Sequence, residues 1–412
     1  MKVVLVNSLY SPHFVGGAER SVQALAEGLV AEGHQAVVVS TADQLESSEA
    51  EVNGVAVHYL PYKNRYWTYA DGQANALVKA AWHARDSYNR AMAEEVSEVV
   101  RRERPDVAHT NNLVGMSVAV WDALHRLGVP IVHTLRDYYL ICPKSTMYSR
   151  GTSCDRPCLG CVPFASPRKS TSRHVSAVVG VSQFILDKHL RLRYFPQANQ
   201  TLAIRTGYDP TPGTTPRRDQ NSSRPLSIGF LGLLSPNKGI EELLEAVGRL
   251  PPDRVELHVG GTGQAAYEAE LRRRFDRPNV RFHGQAPAAE FLRSLDILVV
   301  ASRWEEPLAR VIIEALSCGT PVVTTPRGGS PEVVIDGRNG LVCNGDDAEA
   351  IRHALDRLVS DPSLLATIRR GAVACPATDG LRGMVGRYVD VYERTRSTDR
   401  GRANSAGFVA VC

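Results

Sequence analysis

Nowhere in the 412 residues do eighteen apolar residues run together, so no membrane-spanning helix is expected, although attachment to a membrane surface stays open. The opening apolar run breaks off at Asn7, short of a signal peptide's core, which makes the cytoplasm the expected compartment. Internal repeats and low-complexity tracts are absent. Net charge is also small: 48 Lys and Arg stand against 44 Asp and Glu, giving +4. That excess is too slight for a nucleic-acid binder, though it suits an anionic ligand. Hydrophobic residues at 43% and charged residues at 22% leave no compositional case for disorder, collagen or a coiled coil. In a reducing compartment the eight cysteines are thiols or metal ligands rather than a disulfide framework.

What is present is a soluble globular pattern, longer than one hydrophobic core usually supports, so two domains are expected. The start reads strand, loop, helix, strand: KVVLVN, SPHFVGGAE, the amphipathic SVQALAEGLVAEGH, then AVVVST. Alternation continues through VAVHYL, a helical stretch over about 72–103, DVAHT, a helix over about 115–126, PIVHTL, AVVGVS and LAIRTGYD. Residues 210–224 are rich in Pro, Thr and charge and read as a linker. A second alternating set then begins at LSIGFLGLL, with helices expected over 239–250, 265–275, 288–294 and 308–318. Short strands alternating with helices imply parallel sheets. The expectation is therefore an α/β chain of two Rossmann-like, doubly wound domains. The first covers 1–209, with a Cys-rich insert at 142–161, and the second covers 225–376. A C-terminal helix at 377–395 would pack back on the first domain, and a mobile tail would follow at 396–412.

The sharpest chemical signal is EEPLARVIIEALSCGTPVV over 305–323. It places Glu306 and Glu314 eight positions apart around a helix start, with Pro307 suited to the first helical position. On one helix the two carboxylates would stand roughly 12 Å apart along the axis, turned by about 80°. Such a pair can grip two parts of one extended ligand, since a carboxylate accepts from both hydroxyls of a vicinal diol. Free N–H groups at the helix start would hold phosphate between them. The bland alternative is an exposed i,i+4 stripe of Glu306, Arg310 and Glu314. Against it, Val311, Ile312 and Ile313 make the helix apolar. Gly16 and Gly17 lie between the first strand and first helix, where missing side chains let amides approach a diphosphate; ordinary turn glycines are the alternative. Lys238, just before a helix in SPNKG, can reach phosphate oxygens or simply be solvated.

Cys142, Cys154, Cys158 and Cys161, half of all the cysteines, fall within twenty residues among Pro and Gly. They could close a tetrahedral four-thiolate zinc site or stand as reduced thiols in an ordered loop. Trp67, Tyr66 and Tyr69, beside Lys63 and Arg65, could stack on a sugar, meet a membrane surface or serve core packing.

The 305–323 segment resembles the Glu-x7-Glu motif of retaining nucleotide-sugar glycosyltransferases with the GT-B fold. The likeness extends through GGAE at 16–19, FLGLLSPNKG at 230–239, VRFHG at 280–284 and PRGGSPEVVIDGRNGLV at 326–342. It implies two domains facing across a cleft, with Glu314 on the donor ribose and Glu306 on the transferred sugar. Lys238, Gly16 and Gly17 would lie on the diphosphate, and the acceptor on the first domain. Two positions depart from the family pattern. Where the family has an arginine five residues before the lysine, this chain has Leu233, leaving Arg310 or Arg327 as substitutes. Where PIVHTLRDYYLICP would carry the family's histidine it has Arg136, which can bind developing phosphate charge but cannot act as a base. His133 is three residues away and points to the other face of the strand, and it and His109 read as satisfied core histidines. The resemblance implies no catalytic cofactor, a nucleotide-diphosphate sugar as donor and a hydroxyl-bearing acceptor. The rival readings are a noncatalytic nucleotide-sugar-binding subunit and another GT-B enzyme, such as a nucleotide-sugar epimerase.

Overall fold

The computed structural model describes residues 1–14, 16–69, 75–210, 224–374 and 379–406, the last eight of these as backbone only. The chain forms two compact units. One comprises 1–147, 154–205 and the chain from Leu381 onward; the other comprises 148–153 and 206–380. The core of the 210–224 linker lies outside the described residues.

In the first unit the elements run β1 (Lys2–Val6), α1 (Gly17–Ala31), β2 (Gln35–Ala42), β3 (Ser48–Val52), β4 (Val55–Pro61), α2 (Ala76–Ser87), α3 (Arg90–Glu103), β5 (Val107–Thr110), α4 (Ala119–Arg126) and β6 (Ile131–Leu135). A two-residue hairpin, β7 (Tyr148–Ser149) and β8 (Thr152–Ser153), interrupts the series. It resumes with α5 (Val162–Thr171), β9 (Ala177–Gly180), α6 (Gln183–Arg191) and β10 (Gln200–Ala203). The strands lie in the order β10-β9-β6-β5-β1-β2-β4-β3, all parallel except β3, which pairs antiparallel with β4. The apolar runs VVLV and AVVV explain the parallel centre, because a strand covered on both faces must be apolar at every position. Val3, Leu5 and Val38 pack with Val22, Leu25 and Leu29 of α1, and the alternate Val4 and Val6 are just as fully buried. The antiparallel β3 was not expected. Its SEAEV sequence is exposed along most of its length, so it carries no run of buried side chains to read.

Helices α2 and α5 are tied by a buried charge pair. Asp86 and Arg168 are both fully buried, with Arg168 Nη2 3.2 Å from Asp86 Oδ2. The Gly115 N–H donates to the other Asp86 oxygen at 2.7 Å, and the guanidinium lies 3.8 Å from the Tyr139 ring centre. Burial pushes the Asp86 carboxyl up to about 6, with Arg168 opposing the shift.

The second unit runs β11 (Leu226–Leu231), α7 (Ile240–Val247), β12 (Val255–Gly260), α8 (Ala265–Arg274), β13 (Val280–Gly284), α9 (Ala288–Arg293), β14 (Ile297–Val300), α10 (Arg310–Ser317), β15 (Val322–Thr324), β16 (Gly340–Val342), α11 (Ala348–Ser360) and α12 (Pro362–Ala374). Its six parallel strands lie in the order β13-β12-β11-β14-β15-β16. Alternate residues of β14 enter opposite cores: Ile297 and Val299 join the side packed by α7 and α11, and Leu298 and Val300 join the side packed by α9 and α10. Helices thus cover both faces, and the doubly wound Rossmann-like pattern expected from the sequence is present in both units.

The final helix, α13 (Gly380–Ala406), adds Met384, Val385, Tyr388 and Tyr392 to the core of the first unit. Gly28 on α1 makes room for it, since an added Cβ there would stand 2.5 Å from Val385. The segment from 396, expected to be mobile, continues this helix as far as Ala406, and Arg396 pairs with Asp106 at 3.2 Å. No helix among the described residues is long and apolar enough to cross a membrane.

Candidate active site

In an open parallel sheet a ligand crevice forms beyond the carboxyl ends of the strands where the strand order reverses. In the second unit that point lies between β11 and β14. The loop after β11 carries Lys238, and the loop after β14 carries Ser302, Trp304 and Glu306. Residues far apart in sequence meet there: Lys238 Nζ lies 2.5 Å from Glu306 Oε1, and Ser302 Oγ donates to Glu306 Oε2 at 2.7 Å. The Lys238 ammonium also lies 5.6 Å from the Trp304 ring centre, a cation–π distance.

Glu306 is not on the helix. It was expected beside a helix beginning at Pro307, but α10 begins at Arg310, so the helical rise and rotation between the two carboxylates do not apply. The backbone turns away first: Glu306 N–H donates to Trp304 O at 2.8 Å, and Glu306 O accepts from Gly329 N–H at 2.9 Å. Nor is there a continuous charged stripe. Arg310 Nε pairs with Glu314 Oε1 at 2.7 Å, one turn along α10, while Glu306 pairs with Lys238 instead. Glu306 and Glu314 are only 8% and 9% exposed, which removes the solvated-surface alternative for both carboxylates. Tyr208 sits under Arg310, 5.7 Å from ring centre to guanidinium.

Two glycines hold these loops. Gly239 (φ +70°) closes the turn after Lys238, and an added Cβ would stand 1.9 Å from Ala301 O. Gly328 (φ +63°) lies against the Glu306 backbone, 1.9 Å from Cβ to Glu306 O. Gly328→Ala is expected to cost about 1–2 kcal/mol from the left-handed backbone alone, plus the displacement of Glu306. Gly337 shares the conformation (φ +70°) but has open space around it. Thermal unfolding should therefore show a larger loss for Gly328→Ala than for Gly337→Ala, and equal losses would deny the packing against Glu306.

Of the proposed replacements for the missing arginine, Arg310 is engaged with Glu314 and Arg327 with Asp346 at 3.0 Å. Leu233 is exposed in the loop after β11. The chemistry offered is bipolar. A carboxylate and an ammonium in contact can take a hydroxyl-rich group and an anionic group of one ligand, each replacing the other as partner.

In the first unit the strand order reverses between β1 and β5. Gly16 precedes α1, and its N–H donates to Glu19 Oε2 at 2.9 Å, so this amide already has an anionic partner; Gly17 opens the helix. Arg136 follows β6 and donates from Nε to Asn111 Oδ1 at 3.0 Å. Asn7, at the end of β1, accepts from Asn112 N–H at 3.0 Å. Asn7, Asn111 and Ser302 were missed in sequence reasoning. The signal was their place: each is a buried polar residue within two positions of the end of a buried strand. His109 bonds Tyr392 Oη and Thr134 Oγ1 at 2.7 Å each, and burial holds it well below the ordinary imidazole range. His133 bonds Thr110 Oγ1 at 2.9 Å and is pushed down to about 3 by burial. Both are neutral core histidines. Tyr62, Trp67 and Tyr69 meet edge to face, with centroids 4.9 and 5.2 Å apart.

The zinc expectation is not supported. Among the described residues no group of three or more His, Cys, Asp or Glu side chains could hold a metal ion. The four thiols lie at different depths, Cys142 buried, Cys154 and Cys161 intermediate and Cys158 exposed.

Comparison with known proteins decides the family. Residues 225–361 match the family model described as glycosyl transferases group 1, and residues 16–207 match the glycosyl transferase 4-like domain. The chain belongs to the group 1 glycosyltransferases. This glycosyltransferase is 34% identical to an "Uncharacterized 42.6 kDa protein in cps region" of Klebsiella pneumoniae, over 81% of this chain and 87% of that one. It is 26% identical to a Mycobacterium tuberculosis glycogen synthase, over 91% and 89%. Its fold is similar to that of Anabaena HepE, crystallised with UDP and glucose. The TM-score is 0.71 at 20% identity, covering 96% of this chain and all of that one. The two Rossmann-like units are the GT-B architecture.

Proposed function

We propose that this glycosyltransferase moves a sugar from a nucleoside diphosphate donor to a hydroxyl acceptor with retention of anomeric configuration. The observation that carries the reading is the contact of Lys238, Glu306 and Ser302 at the strand-order reversal of the second unit. In this reading Glu306 accepts hydrogen bonds from the transferred sugar, Lys238 neutralises the diphosphate, and Glu314 accepts from the ribose diol, with Arg310 beside it. Donor binding exchanges the Lys238–Glu306 pair for ligand contacts, which places a fixed cation where the leaving phosphate gains charge. No side chain of the site is assigned as base; the departing phosphate takes the acceptor's proton. Gly17 and Arg136 of the first unit are assigned as further anion-binding groups, and Gly16 contributes by letting the backbone approach. HepE, whose crystals hold UDP and glucose, supports the donor class by likeness of fold.

The test is thermal stabilisation by uridine, guanosine and adenosine diphosphates, beside Glu314→Ala. A nucleotide at 100 times its Kd should stabilise the protein by about 2.7 kcal/mol, and Glu314→Ala should lose most of that gain. Stabilisation by none of the three, or stabilisation that Glu314→Ala leaves intact, would overturn the assignment. Binding without transfer to any acceptor would leave the noncatalytic subunit.

A further inference from the structure

We propose that Cys158 and Cys161 form a reversible dithiol–disulfide couple at the surface of the first unit, a modification site separate from sugar transfer. The sequence Cys158-Leu159-Gly160-Cys161 folds as a tight turn onto the start of α5. Cys158 O accepts from the N–H groups of Cys161 at 2.8 Å and Val162 at 3.1 Å. Cys161 itself stands at the N-cap position of the helix. The turn brings the two sulfurs to 3.3 Å. Nothing crowds it from outside: Cys158 is exposed, Leu159 is 92% exposed, and the space beside Gly160 is open.

The two thiols are also unlike. The Cys161 side chain and the N–H groups of Cys161 and Gly160 hold the Cys158 thiol below its ordinary range. Burial and the neighbouring thiols push Cys161 up to about 12. The exposed sulfur is thus the more readily deprotonated and the other holds its proton more tightly, the division that thiol–disulfide exchange uses. The oxidant is a small-molecule disulfide such as oxidised glutathione. The Cys158 thiolate attacks one of its sulfurs, the S–S bond breaks, and a glutathione thiolate leaves with the electron pair. Cys161 gives up its proton to that thiolate and attacks the Cys158 sulfur, expelling the second glutathione. Two protein thiols are oxidised and one disulfide is reduced to two thiols.

The full chain should be equilibrated in glutathione buffers of increasing oxidised fraction, alkylated under denaturing conditions and mapped by mass spectrometry. One transition is expected, yielding a Cys158–Cys161 peptide lighter by two hydrogens. Cys161→Ser should stop at a glutathione adduct on Cys158, Cys158→Ser should leave Cys161 unmodified, and Cys142→Ser should still close the pair. The couple is overturned by a glutathione adduct accumulating in the unsubstituted chain, by Cys158 pairing with Cys142 or Cys154, by no closure in the most oxidising buffer, or by stoichiometric zinc released as the thiols oxidise.

Discussion

Glu306→Ala is expected to lower the rate of sugar transfer by about 100- to 1,000-fold, the range seen when one preorganised polar contact to a transition state is removed. The fold should tolerate the change. Lys238, freed of its partner, has a side chain already 25% exposed and can be hydrated, and Ser302 keeps its backbone contact with Thr325. The stability cost should be about 1–2 kcal/mol, the scale of losing two hydrogen bonds at a partly wet site. Turnover and unfolding therefore separate: steady-state transfer with a nucleoside diphosphate sugar should collapse while the unfolding transition moves little. Turnover within a few fold of the parent would remove Glu306 from the chemistry. Turnover and stability lost together would make it a structural residue. Lys238→Ala supplies the complementary case, because it unpairs a carboxylate only 8% exposed and should weaken both nucleotide binding and the loop.

The parts of this site legible in the sequence were those fixed by local chemistry. Glu306 and Glu314 announced themselves as carboxylates beside an apolar helix, and Lys238 as a cation in a turn before another. Their joining was not legible, because it depends on β11 and β14 lying side by side with β12 and β13 outside them, a pairing between residues about seventy positions apart. The helix start was misplaced for a similar reason. Pro307 is compatible with a first helical turn, but Gly329, from a loop more than twenty residues on, takes the Glu306 carbonyl and draws the chain elsewhere. Gly328 reads as an unremarkable turn glycine until its neighbour is known. At fold level the two alternating series carried both units because parallel strands buried on both faces are apolar at every position, whereas exposed β3 had no such mark. The cysteines show the opposite failure. Spacing alone allowed a zinc site, but the depth of each thiol, which separates Cys142 from Cys158, is set by tertiary packing.

Asp86→Ala should destabilise the first unit by about 3–5 kcal/mol, the cost of leaving one charge of a buried pair uncompensated. Arg168 is fully buried, so its charge would have no water to turn to. The Gly115 N–H would lose its acceptor as well, at a loop whose φ of +81° depends on being held. What remains for the guanidinium is the Tyr139 carbonyl and the face of the Tyr139 ring. The pair itself is not expected to be worth that much. Burial raises the Asp86 carboxyl to about 6 even with Arg168 beside it, so desolvation outweighs the attraction. It follows that Asp86→Leu with Arg168→Met, which removes both charges while filling the space, should be less destabilised than either single substitution. Denaturant unfolding followed by tryptophan fluorescence, with Trp82 and Trp121 both buried in this unit, reads the cycle. Additive losses would show that the two residues act separately; a double variant near the parent would show that the pair specifies how α2 meets α5 rather than holding the unit together.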